Sequence, residues 1–256
     1  MELAGSKKRR AIIKEYKEGR KPTRLNRNFE FEYDDVEKNK AYQRKRILEY
    51  IGDLPIHQIM LDDIEADDVV AYLCKYYYDT NKVIVSSDRD FIQLLNSNTL
   101  IYNPRKKLIV TTVDAYKEYS IHPKNFVLAR AVTGDKGDNL KGVKGIGLKT
   151  LIKMFPFFLE KEKIHIDFFF KVCEEGGEKY QKFLDDKKLI LDNLKVMQLD
   201  TTLIGFQNVH RIQEAITQPV SLNGTAFRVK LIEDGMNKIS EHYLNSFRIL
   251  EQRETT

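Results

Sequence analysis

The sequence predicts an α/β protein with a mostly parallel sheet flanked by helices and a helical arch, followed by an α-helical C-terminal part holding a helix-hairpin-helix (helix-three-turn-helix) motif. Three observations carry this expectation. Short apolar runs alternate with amphipathic helical stretches from Leu54 to Val110, the signature of crossover connections. The pattern after Thr111 is helical, and the glycine-rich run Gly142-Val143-Lys144-Gly145-Ile146-Gly147 lies between two helical segments.

With 256 residues, 42% of them apolar, the chain has material for one large domain or two smaller ones. A division is expected near Thr112. Residues 1–112 then form the α/β part, with the arch over about 7–50, and residues 113–256 the helical part, with the hairpin over about 130–155.

Residues 7–24 are the densest positive stretch: Lys7, Lys8, Arg9, Arg10, Lys14, Lys17, Arg20, Lys21 and Arg24 stand against only Glu15 and Glu18. Phe29 to Tyr50 is mixed in charge and helical toward its end, where Ala41, Ile47 and Leu48 sit among good helix formers. Ile56 to Met60 is expected as a short strand. Asp67 to Tyr78 is expected as a helix because Val70, Leu73, Cys74 and Tyr77 make a stripe at helical spacing. The continuous apolar run Lys82 to Ser86 suits the middle of a parallel sheet, and a helix from Phe91 to Leu95 should follow. Leu100 to Tyr102 and Leu108 to Val110 flank the turn Asn103-Pro104-Arg105-Lys106 and read as two strands. Thr111 and Asp114 have the spacing of a capping box.

Composition excludes several classes. Lys plus Arg exceed Asp plus Glu by 43 to 38, a mild excess compatible with a polyanionic partner. Cys74 and Cys173 lie far apart, which indicates neither a disulfide framework nor a thiolate zinc site and fits a reducing cytoplasm. No apolar run reaches membrane-span length, and the N-terminus lacks the apolar core of a signal peptide. His57, His122, His165, His210 and His242 are scattered, with no pair at metal-binding spacing.

Three acidic clusters fall where α/β folds concentrate chemistry. Glu65, Asp67 and Asp68 open a helix; acids favour helix N-termini anyway, but Asp67 also leads the apolar stripe, where an unpaired carboxylate is costly and a cation would relieve it. Asp88 and Asp90 close the apolar strand at its carboxyl end, where open parallel sheets place ligands. Asp135 and Asp138 share a glycine-containing turn that is either an ordinary surface turn or a device aiming two carboxylates at one point. These seven acids form an all-oxygen donor set suited to Mg2+ or Mn2+ rather than zinc. Two such ions about 3.5 to 4 Å apart activate water and stabilise a leaving oxygen in phosphodiester hydrolysis. Convergence of the clusters in space is the main structural expectation.

The turn Gly142, Lys144, Gly145, Gly147, Lys149 leads into an apolar helix, where backbone amides hold a phosphate without reading a base. A dinucleotide-binding turn would have to follow a strand, whereas Phe126 to Val132 reads as helix; a plain helix connection is the other alternative. In the basic segment Arg9, Arg10, Tyr16, Lys17 and Arg20 combine charge with an aromatic ring, as single-strand binding sites do; a solvated charged helix shows the same composition.

On four motifs the chain resembles the 5′-nuclease family, the flap endonucleases that include bacteriophage 5′–3′ exonucleases, phage RNase H and the nuclease domain of bacterial DNA polymerase I. They are Arg9-Arg10 through Lys14-Glu15-Tyr16-Lys17 to Arg20, Glu65-Ala66-Asp67-Asp68, Ser87-Asp88 with Asp90, and Gly134-Asp135 with Asp138-Asn139 followed by the glycine turn. The similarity covers roughly residues 5–200. It implies that Glu65, Asp67, Asp68 and Asp88 hold a first metal and Asp90, Asp135 and Asp138 surround a second, with Asp88 serving both. It further implies that Lys17 and Arg20 contact the scissile phosphate, that Tyr16 stacks on a base, and that Arg130 and Lys149 hold the duplex, with K+ at the hairpin. The implied substrates are 5′ flaps, nicked or gapped duplexes and RNA/DNA hybrids, in replication and repair in a bacterial or phage-infected cytoplasm.

The resemblance also implies a departure. Family members begin with a strand carrying an essential Asp, and a second Asp-bearing strand precedes the arch, whereas this sequence starts almost at the arch. The expectation is a truncated or split 5′-nuclease short of opening strands and at least one ligand. A complementing N-terminal fragment would restore them; the alternative is a noncatalytic DNA-binding relative.

Overall fold

The computed structural model describes residues 6–19, 36–62, 64–77, 81–199, 204–236 and 241–254. In chain order the elements are α1 (Lys7–Ile12), α2 (Val36–Gly52), α3 (Ala66–Tyr72), β1 (Lys82–Val85), β2 (Thr99–Asn103), β3 (Leu108–Val110), α4 (Thr112–Tyr119), α5 (Pro123–Thr133), α6 (Leu148–Met154), α7 (Ile166–Glu175), α8 (Gln181–Asp185), α9 (Lys187–Met197), α10 (Phe206–Thr217), α11 (Gly224–Glu233) and α12 (Glu241–Glu254). They fall into two compact units, Met1–Arg20 with Leu61–Ile204, and Lys21–Met60 with Gly205–Thr256. No helix among the described residues is long and apolar enough to cross a membrane.

The first unit carries the sheet, in the order β1-β2-β3, with β1 parallel to β2 and β3 antiparallel to it. One parallel and one antiparallel pairing is a smaller sheet than the alternating pattern predicts. Nor is β1 central among the described strands. Ile84 is buried, but Val83 and Val85 are 54% and 67% exposed, so the apolar run alternates in burial where a central parallel strand would be covered on both faces. The expected strand at Ile56 to Met60 does not form; these residues lie in the other unit, with Met60 71% exposed and no strand alongside.

The helix expected over Asp67 to Tyr78 is α-helical only through Tyr72 and continues as a π-helical turn over Leu73–Tyr77. The segment after β1 is a 3-10 turn, Asp90–Leu94, which buries Phe91 and Ile92. The capping box at Thr111 and Asp114 is present, and both of its hydrogen bonds form.

The expected boundary near Thr112 does not separate the units. Ala115 of α4 and Phe126 of α5 pack in the same core as Ile84, Phe91 and Ile101, so burial ties the first helices after the sheet to the sheet itself. A second core in this unit gathers Phe155, Phe158, Phe169, Phe170 and Phe183 from the helices that follow, with Phe155 against Phe169 at 4.9 Å between ring centroids.

The second unit accounts for sequence beyond residue 204, to which sequence reading assigns no role. Leu54, Phe227, Leu231 and Leu244 form its core with Tyr50 and Phe247 packed alongside. Arg46 of α2 donates to Asp234 at 2.7 Å, to Glu233 at 2.6 Å and to Glu49 at 2.8 Å, while Lys230 pairs with Asp53. The segment read as an arch is therefore divided: α1 belongs to the first unit and α2 packs with α11, while residues 20–35 lie outside the described residues.

Candidate active site

Local folding rules place each acidic cluster. Glu65 is the N-cap residue of α3 in an extended conformation, which puts Asp67 and Asp68 on the first helical turn. Beyond β1, Ser86 accepts from the Asp88 N–H and Asp88 accepts from the Asp90 N–H, both at 3.0 Å, turning the chain off the end of the strand. In the loop after α5, Asp135 and Leu140 exchange both backbone hydrogen bonds at 2.8 Å, and the Asp135 carboxylate accepts from the Gly137 N–H at 2.8 Å.

The basic segment runs into the midst of these acids. Arg9, expected at a nucleic-acid surface, is 2% exposed: it makes a two-pronged bond to Asp68 at 2.8 Å on each arm, reaches Glu65 at 2.9 Å and donates to the Val196 carbonyl at 2.7 Å. The same pairing corrects the reading of Asp68 as an open metal ligand, because both of its oxygens are bonded to Arg9 and it is 1% exposed. Tyr16, expected to stack on a base, is buried with Leu140, Val196 and Met197, its hydroxyl 3.3 Å from Glu65. Burial, with the Glu65, Asp138 and Asp90 charges, pushes its phenol well above the usual range. Arg130, expected to hold the duplex, is also buried and pairs with Asp135 and, at 3.3 Å, with Asp90.

Lys17 lies against Glu65 at 3.1 Å and adopts a left-handed backbone at φ 56°, while its N–H donates to the Asp138 carbonyl at 2.9 Å. A non-glycine residue holds that conformation only where its surroundings over-determine it. Arg10 donates to the Tyr16 carbonyl at 3.2 Å, and Arg20 lies outside the described residues.

The acids do share one neighbourhood. Burial is the main reason that the Asp90 carboxyl is pushed up to about 6, opposed by Arg130 and reinforced by the Asp88, Asp138 and Asp67 charges. Asp67 is raised as well, by burial first and then by Asp88 and Glu65 against Lys17 and Arg9. Convergence is nevertheless looser than expected: among the described residues no three carboxylates, histidines or cysteines stand close enough together to hold an ion. The chemistry of the remaining donors suits a hard cation. Asp67, Asp88, Asp90 and Asp138 are all oxygen donors whose mutual charge raises the proton affinity of Asp90, and a divalent cation relieves that repulsion.

Asp90 gives a pH signature. Its folded value of about 6 lies above the unfolded value of 3.8, so the ionised form costs stability above pH 6, and protonation recovers that cost as pH falls toward 3.8. In metal-free protein Asp90→Asn is expected to add on the order of 2 kcal/mol at pH 8. That gain should fade as pH falls below about 6, read from urea unfolding at a series of pH values. Destabilisation at pH 8 would show instead that pairing with Arg130 dominates.

The glycine turn separates into two kinds of residue. A Cβ on Gly142 would sit 2.1 Å from the Thr133 carbonyl carbon, and one on Gly134, at φ +76°, would sit 2.4 Å from the Gly142 nitrogen. These two glycines serve close packing of the loop on itself. Gly145, at φ +78°, and Gly147 face open space, flanked by exposed Lys144 and Lys149 and anchored by buried Val143 and Ile146. Asn193, missed in the sequence, donates to the Ala131 and Lys141 carbonyls at 2.9 and 2.7 Å and fixes both legs of the loop. Its only signal was one amide in an otherwise apolar stripe of α9.

The fold agrees with that of known proteins. Residues 1–124 match the family described as the 5'-3' exonuclease, N-terminal resolvase-like domain. The chain is 32% identical over 160 residues to a 5'-3' exonuclease of Buchnera aphidicola, covering 61% of this chain and 51% of that protein. It is 27% identical over 197 residues to the flap endonuclease Xni of Shewanella halifaxensis, covering 76% and 71%. In fold it is similar to T5 5'-exonuclease with bound divalent zinc ions, at a TM-score of 0.61 and 22% identity over 81% of this chain and 78% of that one. A bacteriophage T5 flap endonuclease solved with DNA and metal ions gives 0.57 over 88% of this chain and 78% of that one. By these likenesses the chain is similar to 5'-3' exonucleases and flap endonucleases. It spans about half the length of several curated relatives it matches, 51% of one and 41% of another.

Proposed function

We propose that this chain is a structure-specific 5′-nuclease, a 5′–3′ exonuclease or flap endonuclease acting on 5′ flaps, nicked or gapped duplexes or RNA/DNA hybrids in bacterial or phage replication and repair. The observation that carries the reading is the electrostatic crowding of Asp67, Asp88 and Asp138 around Asp90 at the carboxyl end of β1, where α/β sheets place ligands. Mg2+ or Mn2+, as two ions, would supply a polarised water and charge stabilisation at the phosphodiester.

The residues around that position do the rest. Asp67, Asp88, Asp90 and Asp138 would hold the ions. Lys17, half-buried beside Glu65, would offer its ammonium group to a phosphate oxygen. Arg9 and Arg130 act from behind, fixing Glu65, Asp68 and Asp135 in place, so they are positioning residues. The exposed backbone at Gly145 and Gly147 with Lys144 and Lys149 is assigned to the duplex phosphates in a helix-hairpin-helix role, with K+ as its ion.

A second reading has its own support. Arginine bonds engage Asp68, Glu65 and Asp135, and among the described residues no three acids stand together, which favours a noncatalytic DNA-binding relative or a fragment completed by another polypeptide. Among the described residues β1 pairs with one strand only, leaving it an edge suited to a complementing strand.

A labelled 5′-flap duplex with Mg2+ tests the proposal. Cleavage is expected to disappear on chelation and in both Asp88→Ala and Asp67→Ala. Cleavage surviving both substitutions would overturn the site assignment, and salt-sensitive binding without cleavage by the unaltered chain would favour the second reading.

A further inference from the structure

A cavity of about 510 Å³ lies in the first unit among the C-terminal half of α3 and its π-helical turn, the 3-10 turn after β1, α5, residues 163–166 and the end of α9. Its floor is apolar, with Leu94, Val127, Leu128, Ile164 and Leu194 among the residues lining it. Its mouth carries Lys75, Lys124, Lys163 and His165, and no acidic residue lines it. None of the site acids lines it either, so it is separate from the candidate active site.

Two walls of this cavity are held by hydrogen bonds. Fully buried Asn125 donates to the Glu160 and Glu162 carbonyls at 3.3 and 2.8 Å and accepts from the Ile164 N–H at 2.8 Å, which pins the segment carrying Lys163. Gln93 donates to the Met197 carbonyl at 3.1 Å and accepts from the Leu199 N–H at 2.8 Å, which pins the end of α9. The third wall is the π-helical turn bearing Cys74 and Lys75; such turns cost regular hydrogen bonding and recur at functional positions. Nearby His122 is held below its usual range by burial first, and then by Lys124 and Lys161 against Glu162.

We infer that this cavity is a docking site for an acidic peptide segment of a partner protein, taking one large apolar side chain into the floor and carboxylates onto the lysine mouth. The volume falls within the range of sites that enclose a compact apolar group. Cations contributed by three separate segments match several carboxylates spread along a peptide better than the single head group of a small amphiphile. The occupant is thus fixed by charge complementarity and by the pinned walls.

The test uses the whole chain and a fluorescein-labelled peptide of four aspartates followed by leucine and phenylalanine, followed by anisotropy. Saturable binding is expected. It should weaken about tenfold or more both in the Lys124→Glu/Lys163→Glu variant and when the peptide's phenylalanine becomes serine. The peptide should also slow modification of Cys74, the half-buried thiol lining the cavity, while buried Cys173 gives the background. Both substituted lysines are exposed, and an unchanged unfolding curve confirms that the variant folds. Absent binding, binding indifferent to either change, or competition by excess duplex DNA would overturn the inference. Protection of Cys74 by decanoate but not by the peptide would overturn it in favour of a small amphiphile.

Discussion

Arg9→Ala is expected to destabilise the first unit by about 3–5 kcal/mol, because it strands a buried carboxylate whose ion-pair partner among the described residues is that guanidinium. Arg9 and Asp68 have side chains that are each 2% exposed, bonded through both arms, with Glu65 as a further partner. Asp68→Ala should cost a similar amount. The double substitution should cost clearly less than the sum of the two, since Arg9→Ala already strands Asp68 and Asp68→Ala already leaves Arg9 with Glu65 alone among its carboxylates. Chemical denaturation of the four proteins measures this directly. If Arg9 instead faced nucleic acid, Arg9→Ala would fold with unchanged stability and lose salt-sensitive DNA affinity.

That result bears on what the sequence could reveal. Residue types and order marked the acids, and the family resemblance named the roles, but charge alone did not show which cations lie inside. Arg9 and Arg130 read as surface charges in a basic stretch and a helix. Both are buried because carboxylates compensate them, Asp68 and Glu65, distant in sequence, for one, and distant Asp90 with nearby Asp135 for the other. Tyr16 followed the same course: an aromatic between lysines suggests stacking on a base, yet Leu140 and Val196 bury it.

Local chemistry was more legible. The capping box at Thr111, the helix after Glu65 and the paired runs around Asn103 all follow from short-range rules. Elements that depend on distant neighbours were harder to read. The burial of β1 depends on which strands flank it, and Val83 and Val85 resemble core residues by type alone. The pairing of α2 with α11 rests on Arg46, Tyr50 and Lys230 contacts between residues far apart in sequence, beyond the reach of periodicity. Gly142 and Gly147 look equivalent in the sequence, yet one is packed against Thr133 and the other is open.

Asp88→Ala carries the largest functional consequence. Asp88 is exposed, orders the turn through the Asp90 N–H and contributes to the negative field on Asp90. Removing it would eliminate a hard donor from the proposed site, where Asp67 and Asp138 also act on Asp90. A cation bound there should be lost while the fold persists, because no described ion pair depends on Asp88. This distinguishes it from Asp68, whose removal should unfold the unit before any effect on metal binding could be read.

The most direct measurement is therefore Mn2+ binding, followed by electron paramagnetic resonance at pH 8 on the unaltered chain and on Asp88→Ala. The expected result is saturable binding that Mg2+ displaces and that Asp88→Ala weakens by at least the roughly tenfold seen when even an outer-shell partner is removed. Binding that is absent, or equally strong in Asp88→Ala, would contradict a metal site built on these acids.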